Sequence, residues 1–183
     1  MTDFYLHKYK TTESITQGIV APHKYRLQIV KTMGKQQDCI NAWNKDKKKI
    51  VADYINKLRE LYNSDETFLL FTPPTKTRIF IDDIIDAIKL EFSNVIDLTK
   101  IFSKTSDVSF GDAMYNDYTN EQFCEFIYVD NNVTNTIDSQ IDKAFIVDDV
   151  YATGKSLMLT KHLIGKLSDQ NFEIKSGVVL TTT

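Results

Sequence analysis

Cysteine is scarce in this 183-residue chain: Cys39 and Cys124 stand far apart, with no second cysteine or histidine at metal-ligand spacing. That argues against a disulfide scaffold and against a structural zinc site, leaving two ordinary thiols. The three histidines, His7, His23 and His162, are scattered, none pairs with a cysteine at a catalytic spacing, and no serine sits in a nucleophile-elbow setting. Long apolar runs are lacking too, since nothing approaches the roughly 20 residues a membrane helix needs. Met1-Thr2-Asp3-Phe4 lacks the basic-then-apolar layout of a secretory signal, so a cytoplasmic protein without membrane association is expected. Glycine and proline are few, at six and three, and no Gly/Ser/Pro-rich linker, fixed-period repeat or low-complexity tract divides the chain. A single domain over residues 1–183 is therefore expected, with 1–35 as an N-terminal extension and 36–183 as its core.

What is present is an ordinary globular mixture, 42% hydrophobic and 26% charged, long enough to bury a full core. The net charge of −3 offers no general attraction for nucleic acid, and that partner is not expected. The local run Lys45-Asp46-Lys47-Lys48-Lys49 reads as one solvated face of a helix, and the same reading applies to Asp82, Asp83 and Asp86.

Hydrophobic spacing supplies the elements. Ile40, Trp43, Ile50, Val51, Tyr54, Ile55, Leu58, Leu61 and Tyr62 recur mostly at three- and four-residue steps and predict a long amphipathic helix over about 38–62. Asn63-Ser64-Asp65 ends it, and Phe68-Leu69-Leu70-Phe71 is an apolar run fit for a buried parallel strand that stops at Pro73-Pro74. Ile81, Ile84, Ile85, Ile88 and Phe92 give a second helix, and Asn94 to Leu98 the next strand. Residues 99–120 are a polar excursion, expected to be a mobile loop unless it hides a short hairpin. Phe123 to Val129 is the following strand candidate and Asn131 to Asp142 a polar connection. Lys143 to Val147 is another buried strand, Leu159, Leu163, Ile164 and Leu167 mark a helix, and Ile174 with Val178-Val179-Leu180 forms a last strand. Phe4 to Lys35 shows no clean period, and the N-terminal extension is expected to be helical or irregular. Strands alternating with helices predict an α/β fold: a parallel, Rossmann-like sheet with helices on both faces.

The chemistry concentrates at Asp148-Asp149-Val150-Tyr151-Ala152-Thr153-Gly154-Lys155-Ser156. Here a strand ends in two carboxylates, a short turn carries Thr and Gly, and a helix begins. Free backbone N–H groups at the helix start, with the helix dipole, can surround a phosphate, and Gly154 lets the main chain approach it without a side chain in the way. Thr153 and Ser156 add hydroxyls, Ser156 standing at an N-cap or first-turn position, and Lys155 adds positive charge. Asp148 and Asp149 are placed to accept hydrogen bonds from ribose hydroxyls, directly or through Mg²⁺ and its waters. A Walker A loop shares the Gly154-Lys155-Ser156 ending but needs a glycine where this chain has Asp149, whose charge would repel the phosphates. A receiver-like acidic pocket would carry its acid pair near the start of the domain rather than near its end. A plainer reading, in which the aspartates cap a helix and Thr153-Gly154 makes a turn, requires no ligand.

Phe145-Ile146-Val147-Asp148-Asp149-Val150-Tyr151-Ala152-Thr153-Gly154-Lys155-Ser156-Leu157 resembles the phosphoribosyl-pyrophosphate motif of type I phosphoribosyltransferases. The order of elements over residues 36–183 is similar to that of the ComF-like branch. The resemblance implies the type I phosphoribosyltransferase fold and a place in nucleotide metabolism. It also implies Mg²⁺-assisted transfer of ribose 5-phosphate to a nucleophile with loss of pyrophosphate. Asp148 and Asp149 would act on the ribose and, through its waters, on the metal, and Ala152, Thr153, Gly154, Lys155 and Ser156 would hold the 5-phosphate. The pyrophosphate would fall to the loop Thr72-Pro73-Pro74-Thr75-Lys76, chiefly Pro74, Thr75 and Lys76, with Lys76 the catalytic cation and Arg78 second to it.

The chain departs from the pattern in three places. Lys155 replaces the small residue often found after the motif glycine. The 99–120 loop has no arginine, leaving Lys100 and Lys104 as its basic residues. The chain stops at Thr183, so the acceptor pocket is expected from the N-terminal region, a second copy or a partner protein. These departures keep a second function open, a module that binds phosphoribosyl pyrophosphate or a nucleotide as a sensor or protein partner without turnover.

Overall fold

The apolar run Phe68-Leu69-Leu70-Phe71 and the run ending in the acid pair lie side by side at the centre of a five-stranded sheet. The computed structural model of the protein describes residues 2–9, 36–74, 81–105, 118–130, 137, 140–151, 154–167 and 171–182. In chain order its elements are β1 (Phe4–Tyr9), α1 (Gln36–Arg59), β2 (Phe68–Phe71), α2 (Ile81–Glu91), β3 (Val95–Asp97) and β4 (Phe102–Lys104). There follow α3 (Asn120–Cys124), β5 (Ile127–Val129), β6 (Lys143–Tyr151), α4 (Lys155–Gly165) and β7 (Glu173–Thr182). The main sheet runs β1-β7-β6-β2-β3 with every neighbouring pair parallel, and β4 with β5 forms a separate antiparallel pair. The expected α/β class, a parallel sheet with helices on both faces, is the observed one.

Strand alternation divides the core into two layers. Phe68 and Leu70 of β2, Phe145 and Val147 of β6 and Val179 of β7 pack on one face against Ile50, Tyr54, Ile55 and Leu58 of α1 and Ile81, Ile84, Ile85 and Ile88 of α2. Leu69 and Phe71, Ala144 and Ile146, and Val178 pack on the other face against Leu157, Leu159, Leu163 and Ile164 of α4 and against Phe102, Phe123 and Ile127. Each fully buried Val, Leu, Ile or Phe among them contributes roughly 1.5–3 kcal/mol of transfer free energy. Aromatic rings join the first layer: Tyr62 stacks on Phe68 at 4.5 Å between centroids, and Tyr54 meets Phe4 edge-on at 4.9 Å. Two phenols also tie the end of α1 and the turn after it to the sheet, Tyr54 Oη donating to the Gly177 carbonyl at 2.8 Å and Tyr62 Oη to the Ala144 carbonyl at 3.2 Å. Burial, aided by the charge of Asp148, pushes the Tyr54 phenol up, so it stays protonated as a donor.

The structure corrects three expectations. The first residues of the expected helical or irregular extension form β1, an edge strand paired in parallel with β7 from Phe4↔Gly177 to Tyr9↔Thr182. Its anchor is tertiary: the Asp3 carboxylate accepts from the Ser176 N–H at 2.6 Å, 173 residues away in sequence. Residues 99–120 are not loop throughout, because Phe102–Lys104 pairs with Ile127–Val129, and Phe102 stacks on Phe71 at 5.8 Å, while residues 106–117 of the expected loop lie outside the described residues. Phe123 lies not in a strand but in α3, which Thr119 and Gln122 start by a reciprocal cap. Gln122 N–H donates to Thr119 Oγ1 at 3.2 Å, and Thr119 N–H donates to Gln122 Oε1 at 2.9 Å. Phe123 and Phe126, three apart, then close on each other at 6.3 Å.

The two solvated helix faces meet: Lys47 of the basic run pairs with Asp83 at 3.1 Å, and Lys48, Lys49, Asp82 and Asp86 are exposed. No helix among the described residues is long and apolar enough to cross a membrane.

Candidate functional site

The sheet order places a crevice at the end of β6. The chain leaves β2 through α2 toward β3 on one side, and leaves β6 through α4 toward β7 on the other. Diverging crossovers from adjacent parallel strands make a topological switch point, where ligands of open α/β sheets bind beyond the strands' carboxyl ends. β6 also outruns β2. Its register with β2 reaches Phe71↔Ile146, whereas it continues beside β7 through Asp148↔Val178 to Tyr151↔Thr181. The acid pair therefore lies inside a strand, beyond the last β2 pairing, and β6 runs on past the two aspartates, at which the sequence suggested it would end, to Tyr151.

Asp148 is 3% exposed and Asp149 8%, a depth at which a carboxylate requires compensating hydrogen bonds. Asp148 has them: Oδ1 accepts from the Asp149 N–H at 2.8 Å and Oδ2 from Ser156 Oγ at 2.9 Å. Alternation along β6 puts Asp148 on the face of Ala144 and Ile146, toward α4, and Asp149 on the face of Phe145 and Val147. The pair thus straddles the strand instead of forming one carboxylate dyad.

Gly154 is the N-cap of α4, with φ 75° and ψ 0°. This left-handed conformation favours glycine, and it turns the chain from the strand into the helix within a few residues. The Met158 N–H donates to the Gly154 carbonyl at 2.9 Å and opens the helix ladder. Ser156 lies within the first turn rather than at the cap, and Thr160 Oγ1, buried, donates to the Ser156 carbonyl at 2.7 Å. Lys155 Nζ donates to the Tyr118 carbonyl at 3.3 Å, linking the residue that departs from the motif to the segment that enters α3.

Across the crevice, Thr72, Pro73 and Pro74 continue β2 as buried residues. Thr72 Oγ1 donates to the Thr99 carbonyl at 2.8 Å, and Asp97 Oδ1 accepts from both Thr99 N–H at 3.0 Å and Thr99 Oγ1 at 2.6 Å. Lys89 Nζ closes the network on Asp97 Oδ2 at 2.9 Å. Burial opposes the charge on Asp97, but the bonds from Thr99 and Lys89 outweigh it and hold the carboxyl below its ordinary value.

Of the residues singled out by sequence, Asp148, Asp149, Gly154, Lys155 and Ser156 stand together at this strand-to-helix junction, and Pro74 stands at the end of the neighbouring strand. Ala152, Thr153, Thr75, Lys76 and Arg78 lie outside the described residues. Sequence reasoning missed the Thr72–Thr99–Asp97–Lys89 network, although Asp97-Leu98-Thr99 carries its signal as an Asp whose side chain bonds the backbone two residues on. It also missed the Ser156–Asp148 bond, which nothing local announces. Among the described residues no group of three or more His, Cys, Asp or Glu forms a metal cluster.

No protein-family model and no curated protein matches the chain. Among solved structures it is similar to a hypoxanthine phosphoribosyltransferase from Staphylococcus aureus, at 15% identity and TM-score 0.39, over 75% of this chain and 62% of that one. It is also similar to an adenine phosphoribosyltransferase from Saccharomyces cerevisiae, complexed with D-2,5-dideoxy-2,5-imino-altritol 1,6-bisphosphate and adenine. There the identity is 16% and the TM-score 0.40, over 85% of this chain and 73% of that one. The chain spans less than two thirds of the length of the Staphylococcus aureus protein. By its own strand order it is an α/β protein with a five-stranded parallel sheet flanked by helices, whose switch point carries two buried carboxylates and a glycine-capped helix start.

Proposed function

We propose that the protein binds phosphoribosyl pyrophosphate at the switch point and transfers its ribose 5-phosphate to a nucleophilic acceptor, as a cytoplasmic member of the ComF-like branch of type I phosphoribosyltransferases. The observation that carries this reading is the junction itself: buried Asp148 and Asp149 on β6, then Gly154 in the left-handed conformation opening α4, beside the Pro73-Pro74 end of β2.

In this reading the 5-phosphate lies at the start of α4, where the first-turn backbone N–H groups and the helix dipole favour an anion, held by Ala152, Thr153, Gly154, Lys155 and Ser156. Asp148 and Asp149 accept from the ribose hydroxyls, each from its own side of β6. The donor set suits Mg²⁺, which binds through one or two carboxylates, substrate phosphates and retained waters rather than through an all-protein cage. Asp148 and Asp149 would hold it through its waters, and it would supply charge neutralisation for the leaving pyrophosphate. The acceptor's lone pair forms a bond to the anomeric carbon as the bond from that carbon to the pyrophosphate oxygen breaks, the electron pair leaving on pyrophosphate. Positive charge develops at the anomeric carbon near two carboxylates, and negative charge on the leaving group near Pro74, Thr75 and Lys76.

The test is calorimetric titration of phosphoribosyl pyrophosphate in Mg²⁺, followed by pyrophosphate release over a panel of nucleobases and amines. The doubly substituted Asp148→Asn, Asp149→Asn protein should keep its fold and lose roughly two to four orders of magnitude in affinity, from two hydrogen bonds to charged groups at ~1.5–3 kcal/mol each. Unchanged affinity would defeat the reading. Tight binding without pyrophosphate release for any acceptor would reduce it to a ligand-binding module.

A further inference from the structure

The main chain leaves β2 toward the crevice with little ladder left to hold it. β3 pairs with β2 as far as Leu70↔Asp97, and β6 as far as Phe71↔Ile146, two residues before Asp148. Pro73 and Pro74 follow almost at once, and neither has an N–H with which to extend the sheet. Thr72, Pro73 and Pro74 are buried all the same. A side chain takes over from the ladder: Thr72 Oγ1 donates to the Thr99 carbonyl at 2.8 Å. Thr99 is itself held, its N–H donating to Asp97 Oδ1 at 3.0 Å and its Oγ1 to the same oxygen at 2.6 Å. Lys89 Nζ, in the last turn of α2, donates to the other carboxylate oxygen at 2.9 Å. Both threonines are 3% exposed, so a ligand meets the chain they hold rather than their hydroxyls.

We infer that Thr72, Thr99 and Asp97 are positioning residues for the pyrophosphate side of the crevice. They tie the exit of β2 to the turn after β3, and so fix where Pro74 stands relative to the acid pair. The inference rests on the phosphoribosyl-pyrophosphate reading of the switch point and divides the site in two. The leaving-group half depends on this network; the sugar-phosphate half, built on β6 and α4, does not.

Two ligands that differ only at the anomeric position separate the halves, phosphoribosyl pyrophosphate and ribose 5-phosphate, each titrated against the full chain in Mg²⁺. Thr72→Val keeps the shape and removes the donor. It should weaken phosphoribosyl pyrophosphate about fivefold, the scale of one net hydrogen bond, and leave ribose 5-phosphate within about twofold. Thr72→Ser keeps the hydroxyl and should recover native binding of phosphoribosyl pyrophosphate. Asp97→Ala frees the same carbonyl from further back and should show the same selective loss, with the double variant losing less than the sum of the two. Equal losses for both ligands, unchanged binding of phosphoribosyl pyrophosphate by Thr72→Val, or losses that simply add would overturn the inference. So would a native protein that holds phosphoribosyl pyrophosphate no more tightly than ribose 5-phosphate, although the sugar-phosphate half of the reading would then stand. A native protein that binds neither ligand strikes the reading itself, and the role of the network falls with it. Circular dichroism checks the fold of each variant, and should Thr72→Val not fold, Asp97→Ala, at the more exposed end of the network, carries the same comparison.

Discussion

Gly177 has little room in the sheet, and a single methyl group measures how little. A Cβ at that position would lie 2.4 Å from Phe4 Cζ, 2.8 Å from Phe4 Cε1 and 2.7 Å from Tyr54 Oη. Phe4 belongs to the neighbouring strand, paired directly with Gly177, and its ring packs across the glycine against Tyr54 and Phe145. Neither ring can yield cheaply, because Phe4 is 9% exposed and Tyr54 fully buried. Tyr54 Oη is moreover bonded to the Gly177 carbonyl. Gly177→Ala should therefore cost the overpacking term of ~1–3 kcal/mol together with ~1 kcal/mol for the strained phenol bond, about 3 kcal/mol in all. In a protein of this size that lowers the thermal midpoint by roughly 6–12 °C. Urea unfolding followed by circular dichroism gives the number. The mechanism is tested by repeating the substitution in a Phe4→Leu background, where both Phe4 ring contacts are gone and only the one to Tyr54 Oη remains, so the cost should fall to about 1 kcal/mol. A cost below about 1 kcal/mol in the native background, or the same cost in both, would refute the argument.

Two further outcomes follow from the site. Gly154→Ala puts a Cβ at φ 75° and should lose ~1–2 kcal/mol of stability together with weaker inorganic phosphate binding; unchanged stability in urea would contradict the strain. Asp97 has its carboxyl held below the ordinary value, against the cost of burial, by Thr99 and Lys89. A depressed folded-state value contributes stability that is present above the unfolded aspartate value, ~3.9, and is lost as pH falls through the folded one. Asp97→Asn should thus be less stable than the native protein near about pH 7, with the difference closing as pH falls through the depressed folded-state value; a difference independent of pH would exclude the network as its source.

Much of this architecture was legible because it is written locally. The four apolar residues of β2 and the three- and four-residue steps of α1 and α2 each specify their conformation within one element, and Gly154 marks the start of α4 by itself. The parts that were not legible depend on distant partners. β1 is a strand because Ser176 and Gly177 receive it, not because Phe4 to Tyr9 alternates cleanly. Phe123 reads as strand on propensity, yet the Thr119 and Gln122 cap starts a helix there first. The Ser156 bond to Asp148 required knowing that α4 returns over the face of β6 that carries Ala144 and Ile146.

That last dependence joins core to chemistry. Along β6, Ala144 and Ile146 face α4 while Phe145 and Val147 face α1 and α2, and the two sets differ enough in size and neighbours to fix which face is which. Asp148 and Asp149 inherit their faces from this alternation. A slip of one residue against β7 would send every β6 side chain to the opposite layer. It would bury the Phe145 ring under α4 and bring Asp149, in place of Asp148, to Ser156. The packing that specifies register therefore also specifies which carboxylate is held by the helix and which is offered across the strand. Large-to-small changes at Phe145 belong, for this reason, to the function of the site as much as to its stability.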